Sequence, residues 1–232
     1  MKIAIVIITY NVPDLIIKQI ELISKYCKDN FEIIIVDNST DDIAIKSIAY
    51  HCKERGVRVL KTQASSQRGS DSHAFACNVA YAMLYGGYDY FFFLDHDNFP
   101  IRNFSVEAIL QGKIMAGLPQ AKSKTYFWAG CVMWNDKDID RSLIDFSVNH
   151  ELGLDTGGML YRVVEQYGDS QCVFFDEKYY ENPHFRTTMY NFYATINDDM
   201  FMHFINSSGW NPIDGNTERI NSLINILTET TK

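Results

Sequence analysis

Residues 88–98 read Tyr-Asp-Tyr-Phe-Phe-Phe-Leu-Asp-His-Asp-Asn. The first seven are rich in the aromatic side chains that suit a pleated surface, and the run stops abruptly at Asp95-His-Asp-Asn98. A strand without polar alternation belongs inside a sheet covered on both faces, and the carboxyl ends of such strands are where open α/β sheets place their ligands. Side chains alternate along a strand, so Asp95 and Asp97 are expected on one side and His96 on the other. Two carboxylates aimed at one point repel unless a proton or cation lies between them. Hard oxygen ligands in that position suit Mg²⁺ or Mn²⁺ bridging a diphosphate. A lone Asp-x-Asp is also a common solvated turn, so the surrounding pattern has to decide.

Upstream, Ile3 to Ile8 reads as a first strand, followed by a turn at Asn11 and a helix opening near Pro13, a residue suited to a first helical turn. Phe31 to Val36 is a second strand. The polar stretch Asp37 to Asp42 then offers caps for a helix from Asp42 to Glu54 that is expected to bury Ile45, Ile48 and Ala49. Val57 to Leu60 is a third strand. Gln63 to Asp71 is too polar to form core and is expected as a mobile loop at the sheet edge, leading into a helix from Ser72 to Tyr85 that Gly86-Gly87 ends. This alternation predicts βα units on a mostly parallel sheet.

Downstream the expected strands are Lys113 to Leu118, Tyr126 to Trp134, Gln171 to Phe175 and Met200 to Ile205. The expected helices are Asp155 to Tyr167 and Glu218 to Glu229. With no repeat or linker between the halves, residues 1–232 read as one α/β domain. Residues 1–100 would bind one ligand, and 101–232 would complete the site.

Of 232 residues, 47% are apolar and 22% charged, enough for a sizeable core and unlike a disordered or fibrous chain. The 21 basic residues against 29 acidic ones give a net charge of −8, which argues against a nucleic-acid partner. The first apolar run is too short for a signal segment or a membrane span, so a cytoplasmic protein is expected. Peripheral membrane contact and self-association stay open. Cys27, Cys52, Cys77, Cys131 and Cys172 are odd in number and widely spaced, as expected of reduced core residues.

Thr9, Tyr10 and Asn11 fall at the end of the first strand, and Asp37 and Asn38 at the matching end of the second. An Asp there can accept from a base imide or a ribose hydroxyl, although Asp37, Ser39 or Thr40 can equally cap the next helix. Together, the stretches IVIITYNVPDLIIKQIELI, FEIIIVDNSTDD and YDYFFFLDHDN resemble the glycosyltransferases of GT-A fold, specifically family 2, over about residues 1–100. That resemblance implies a single Rossmann-like GT-A domain with a mixed, mostly parallel central sheet and helices on both faces. It further implies an inverting, metal-dependent transfer from a nucleotide-sugar donor to a saccharide or other hydroxyl acceptor. Thr9, Tyr10 and Asn11 would lie by the nucleotide, Asp37 would bind the base with Asn38 beside it in the donor site, and Asp95 and Asp97 would serve ribose and metal. Asn78 matches an Asn that often follows the polar loop in relatives. The Gly and Arg common before it are replaced here by Ser72-His-Ala-Phe-Ala-Cys77, which leaves the diphosphate contacts unassigned.

Displacing a nucleoside diphosphate requires deprotonating the attacking hydroxyl. Asp155, heading Asp-Thr-Gly-Gly before a helix, is the first candidate base. Glu151, Asp176 and Glu177 are in reserve, and a plain helix cap is the alternative for Asp155. His203, on a late strand, matches a His that often completes the metal site in relatives, though a lone His is as readily structural. Trp128, Trp134 and Trp210, with Tyr126 and Phe127, supply either a platform for a sugar ring or core packing. Two other functions compete. A sugar nucleotidyltransferase should carry a Gly-rich basic loop after the first strand, but Ile8-Thr-Tyr-Asn-Val-Pro-Asp-Leu15 has neither Gly nor Lys. A sugar- or nucleotide-binding module without catalysis is the other.

Overall fold

A computed structural model describes residues 1–62, 69–183, 192–205, 207 and 216–232. Most of the expected polar loop at 63–71, together with Trp210, lies outside the described residues.

The first half alternates strands and helices: β1 (Ile3–Thr9), α1 (Pro13–Tyr26), β2 (Phe31–Asp37), α2 (Asp42–Glu54), β3 (Arg58–Lys61), α3 (Gly69–Leu84) and β4 (Tyr90–Asp95). The second half is less regular: β5 (Asn98–Pro100), α4 (Val106–Leu110), β6 (Met115–Ala121), β7 (Thr125–Asn135), α5 (Tyr161–Tyr167), β8 (Cys172–Phe174), β9 (Glu177–Glu181), β10 (Phe192–Ile196), β11 (Phe201–His203) and α6 (Asn216–Thr230). The main sheet runs β3-β2-β1-β4-β7-β6-β8. Its first four strands are parallel, β7 is antiparallel to both neighbours, and β8 is parallel to β6. This is the expected mixed, mostly parallel sheet.

Both faces are covered. Ala4, Val6 and Ile8 of β1 face α3 and α5, through Cys77, Ala80 and Val163. Ile3, Ile5 and Ile7 face α1, α2 and α4, through Ile16, Ile48 and Val106. That is why β1 reads as an unbroken apolar run. The pattern of α2 departs from expectation: it buries Ala44, Ile48 and Cys52, one residue per turn, while Ala49 is exposed and Ile45 half-buried. All five cysteines are free and buried.

A second, antiparallel sheet of order β5-β11-β10-β9 was not expected from the sequence. Its outer side carries a third apolar cluster in which Phe99, Met202 and Phe204 meet Leu15 and Leu22 of α1 and Leu223 and Leu227 of α6. The two sheets meet where β4 ends and β5 begins. Among the described residues no helix is long and apolar enough to cross a membrane.

Candidate functional site

The chain winds from β1 to β3 in one direction, then returns to place β4 on the other side of β1. The order of the strands therefore reverses between β1 and β4, and a crevice opens there at their carboxyl ends. Register fixes what stands at its rim: Ile8 pairs with Asp95, and Thr9 with Asp37. A cleft of about 750 Å³ begins at this point, lined by Thr9, Tyr10, Asn38, His73 and the run Asp95-His96-Asp97. Its far side is built by β6, β7, the second sheet and the segment before α5, through Gln120, Trp128, Glu177, Tyr179, His203 and Asp155.

β4 stops at Asp95, and residues 96 and 97 form a turn. The strand alternation expected to send His96 away therefore does not operate, and His96 lines the cleft with both carboxylates. Its Nδ1 lies 3.1 Å from the Ile8 carbonyl, which can only accept, so that nitrogen carries a proton. Asp95 Oδ1 stands 2.8 Å from His73 Nε2 of α3. Burial opposes the charge on His73, yet the Asp95 carboxylate more than compensates and lifts its pKa well above the ordinary 6.5. Burial likewise opposes ionisation of Asp95, and His73, followed by His96 and His203, outweighs it and keeps the carboxyl low.

Asp97 is buried, and its Oδ1 stands 3.9 Å from His203 Nε2. On the other side of that ring, Nδ1 is 3.8 Å from Glu177 Oε1. Burial disfavours the imidazolium, but Glu177, Asp97 and Asp95 together raise the His203 pKa. Trp128 lies against the same ring, centroids 4.7 Å apart. Gly130, two residues along β7, leaves room for this arrangement: a methyl there would overlap the Trp128 ring and stand 2.5 Å from Asp95 Oδ2. Among the described residues no three His, Cys, Asp or Glu side chains are grouped to hold a metal ion.

The remaining expected residues divide. Tyr10 reaches the cleft, its hydroxyl 3.1 Å from Thr40 Oγ1, and Thr9 lines it from a buried position. Asn11 instead ties two loops together. It takes a left-handed backbone (φ 56°), which Asn tolerates, and its Oδ1 accepts from the Thr40 and Asp41 amides. Asp37 is buried and accepts from the Ser39 amide, outside the residues that line the cleft. Asn38 lines the cleft, but its amide donates to Ser72 Oγ and its Oδ1 accepts from Thr62. Asn78 holds the 145–147 segment by bonds to Asp145, Phe146 and Ser147.

Asp155 lines the cleft as expected, but it heads no helix. Gly157 takes φ 83° two residues after it, a short 3-10 turn follows at Gly158–Leu160, and α5 begins only at Tyr161. Close approach explains the glycine: a side chain at 157 would meet the Phe127 carbonyl. Asp155 Oδ1 accepts from the Thr156 amide at 2.8 Å. Of the reserve candidates, Glu177 lines the cleft, whereas Asp176 and Glu151 are not among the lining residues. Trp134 and Phe127 are fully buried core, and Tyr126 is buried. His73 is the residue the sequence reading passed over. Its only signal was its place on the helix that follows the polar loop.

Residues 4–112 match the family described as Glycosyl transferase family 2. No curated protein matches the chain in sequence. Among solved structures, a mannosyltransferase from Pyrobaculum calidifontis, in complex with GDP-Man and Mn²⁺, is similar at 12% identity and TM-score 0.53, over 74% of this chain and 54% of that one. Glucosyl-3-phosphoglycerate synthase from Mycobacterium tuberculosis, in complex with Mn²⁺, UDP and glucosyl-3-phosphoglycerate, gives 16% identity and TM-score 0.48, over 74% and 68%. This chain thus spans about half the length of the mannosyltransferase. The fold is the GT-A glycosyltransferase fold, and residues 4–112 carry the family 2 match.

Proposed function

We propose that this chain, with a glycosyl transferase family 2 match over residues 4–112 on a GT-A fold, transfers a sugar from a nucleotide-sugar donor to an acceptor hydroxyl, with inversion and with a divalent cation. The observation that carries the reading is one cleft that presents the Asp95–Asp97 turn at the reversal of strand order and Asp155 on its opposite wall. The donor's nucleoside lies along Thr9 and Tyr10, and its diphosphate approaches Asp97. The acceptor enters from the side of Trp128, Gln120 and Tyr179.

Asp97 and His203, 3.9 Å apart, fit a cation that takes its remaining ligands from phosphate oxygens and water, as Mg²⁺ and Mn²⁺ commonly do at nucleotide sites. Such an ion would screen the charge that develops on the leaving diphosphate. Asp95 is engaged by His73 and serves the ribose side. Asp155 receives the proton of the acceptor hydroxyl as its oxygen attacks the anomeric carbon from the face opposite the diphosphate. Slow release of nucleoside diphosphate from GDP- or UDP-linked sugars, dependent on Mn²⁺, tests the reading. A chain that binds the nucleotide but never releases it from a sugar is a binding module instead.

A further inference from the structure

On α1 the buried positions are Leu15, Ile16, Gln19, Ile20, Leu22 and Ile23, and Gln19 is the only polar one. It sits on the stripe of Leu15 and Leu22, which meets β5 and α6, and it has no exposed surface. A polar group buried in an apolar stripe is costly unless it is bonded, and since Gln19 Oε1 has no partner among the described residues, the bonds made by Nε2 indicate what the side chain is for. Gln19 Nε2 donates to the carbonyl of Asp95 at 2.7 Å and to the carbonyl of Asn98 at 2.6 Å. These are the two ends of the turn that carries His96 and Asp97. The chain passes there from one sheet to the other. From the far side, Asn98 Nδ2 donates to the Gly130 carbonyl, and the Phe204 amide donates to the Asp97 carbonyl.

We propose that Gln19 is a positioning residue for the acidic turn: one side-chain amide spans both ends of residues 95–98 and fixes where the Asp97 carboxylate stands relative to His203. It touches neither donor nor acceptor and acts only through the turn. The inference rests on the functional reading above for its consequence, but not for its geometry.

Gln19→Met keeps length and removes the donor. Leu22→Ala is the control, because it loosens the same apolar stripe and bonds to nothing in the turn. Two measurements on the full chain decide. Amide hydrogen exchange of residues 95–98 should quicken at least tenfold in Gln19→Met and stay near wild type in Leu22→Ala, whatever each does to the melting temperature. Calorimetric affinity for GDP and for UDP in Mn²⁺ should fall about tenfold in Gln19→Met for whichever nucleotide binds, and stay within about twofold in Leu22→Ala. Equal exchange at 95–98 in the two variants overturns the positioning role. If wild type binds neither nucleotide, the functional reading fails while the exchange result still decides the role of Gln19.

Discussion

Asp155 and Glu177 face the same cleft, but their carboxylates are differently engaged. Glu177 accepts from the Tyr179 hydroxyl at 2.6 Å, and although burial works against its charge, His203 holds its pKa below the ordinary value. Asp155 is exposed to the cleft, and the bond described for its carboxylate is that from its neighbour's amide to Oδ1. An acceptor of protons needs a free lone pair, so Asp155→Asn should lower transfer by roughly 10²–10⁴ while donor affinity stays within a few fold. Near-normal transfer by that variant moves the role to Glu177. The His73–Asp95 pair makes a separate prediction, this time for stability. The folded pKa of His73 is raised above 6.5, so its contribution is complete below about pH 6.5 and fades as pH rises through the folded value. The folded pKa of Asp95 is depressed, so its contribution is complete above about pH 4 and fades as pH falls through the folded value. Denaturant unfolding of wild type and His73→Gln should therefore differ most near pH 5–6, and the gap should narrow toward alkaline pH. A gap constant from pH 5 to 9 contradicts the pairing. The two aspartates of the turn were legible because charge follows apolar strand abruptly. His73 was not, since nothing local announces that a helix 22 residues away in sequence will bring an imidazole onto Asp95.

At the scale of elements, legibility followed burial. Strands β1, β2 and β4 lie inside the sheet with both faces covered, and their ends were read to within a residue or two. Of the second sheet only β11 was read, within the expected strand Met200 to Ile205, and its partners carry no such signal. β5 is three residues long and ends in a proline, and β9, Glu-Lys-Tyr-Tyr-Glu, is mostly exposed. Around Asp155, a composition typical of a helix start was overridden by the glycine that passes the Phe127 carbonyl, which delays α5 by six residues. Where a cap does exist, its effect should be local. Asp41 accepts from the Ala44 amide at the start of α2, so Asp41→Ala should cost about 1 kcal/mol in denaturant unfolding and leave nucleotide affinity unchanged. A loss of affinity there would mean that the loops after β1 and β2, joined through Asn11, move together with the cleft.

For the whole molecule, the parallel half supplies the crevice, and β6, β7, the segment carrying Asp155 and the antiparallel sheet supply its opposite wall, with residues 95–98 at the junction of the two sheets. The first half matches a family and was legible from three spaced motifs. The wall was not, because its residues, Trp128, Glu177, Tyr179 and His203, come from separate strands whose pairing only the fold reveals. On the proposed function this junction binds a nucleoside diphosphate through Asp97 with a divalent cation. Calorimetric titration of GDP and UDP, with and without Mn²⁺, into wild type and Asp97→Ala tests it most directly. One nucleotide should bind wild type in a Mn²⁺-dependent manner, and Asp97→Ala should lose that dependence while melting within a few degrees of wild type. Unchanged Mn²⁺-dependent affinity in Asp97→Ala, or no binding of either nucleotide to wild type, would contradict it.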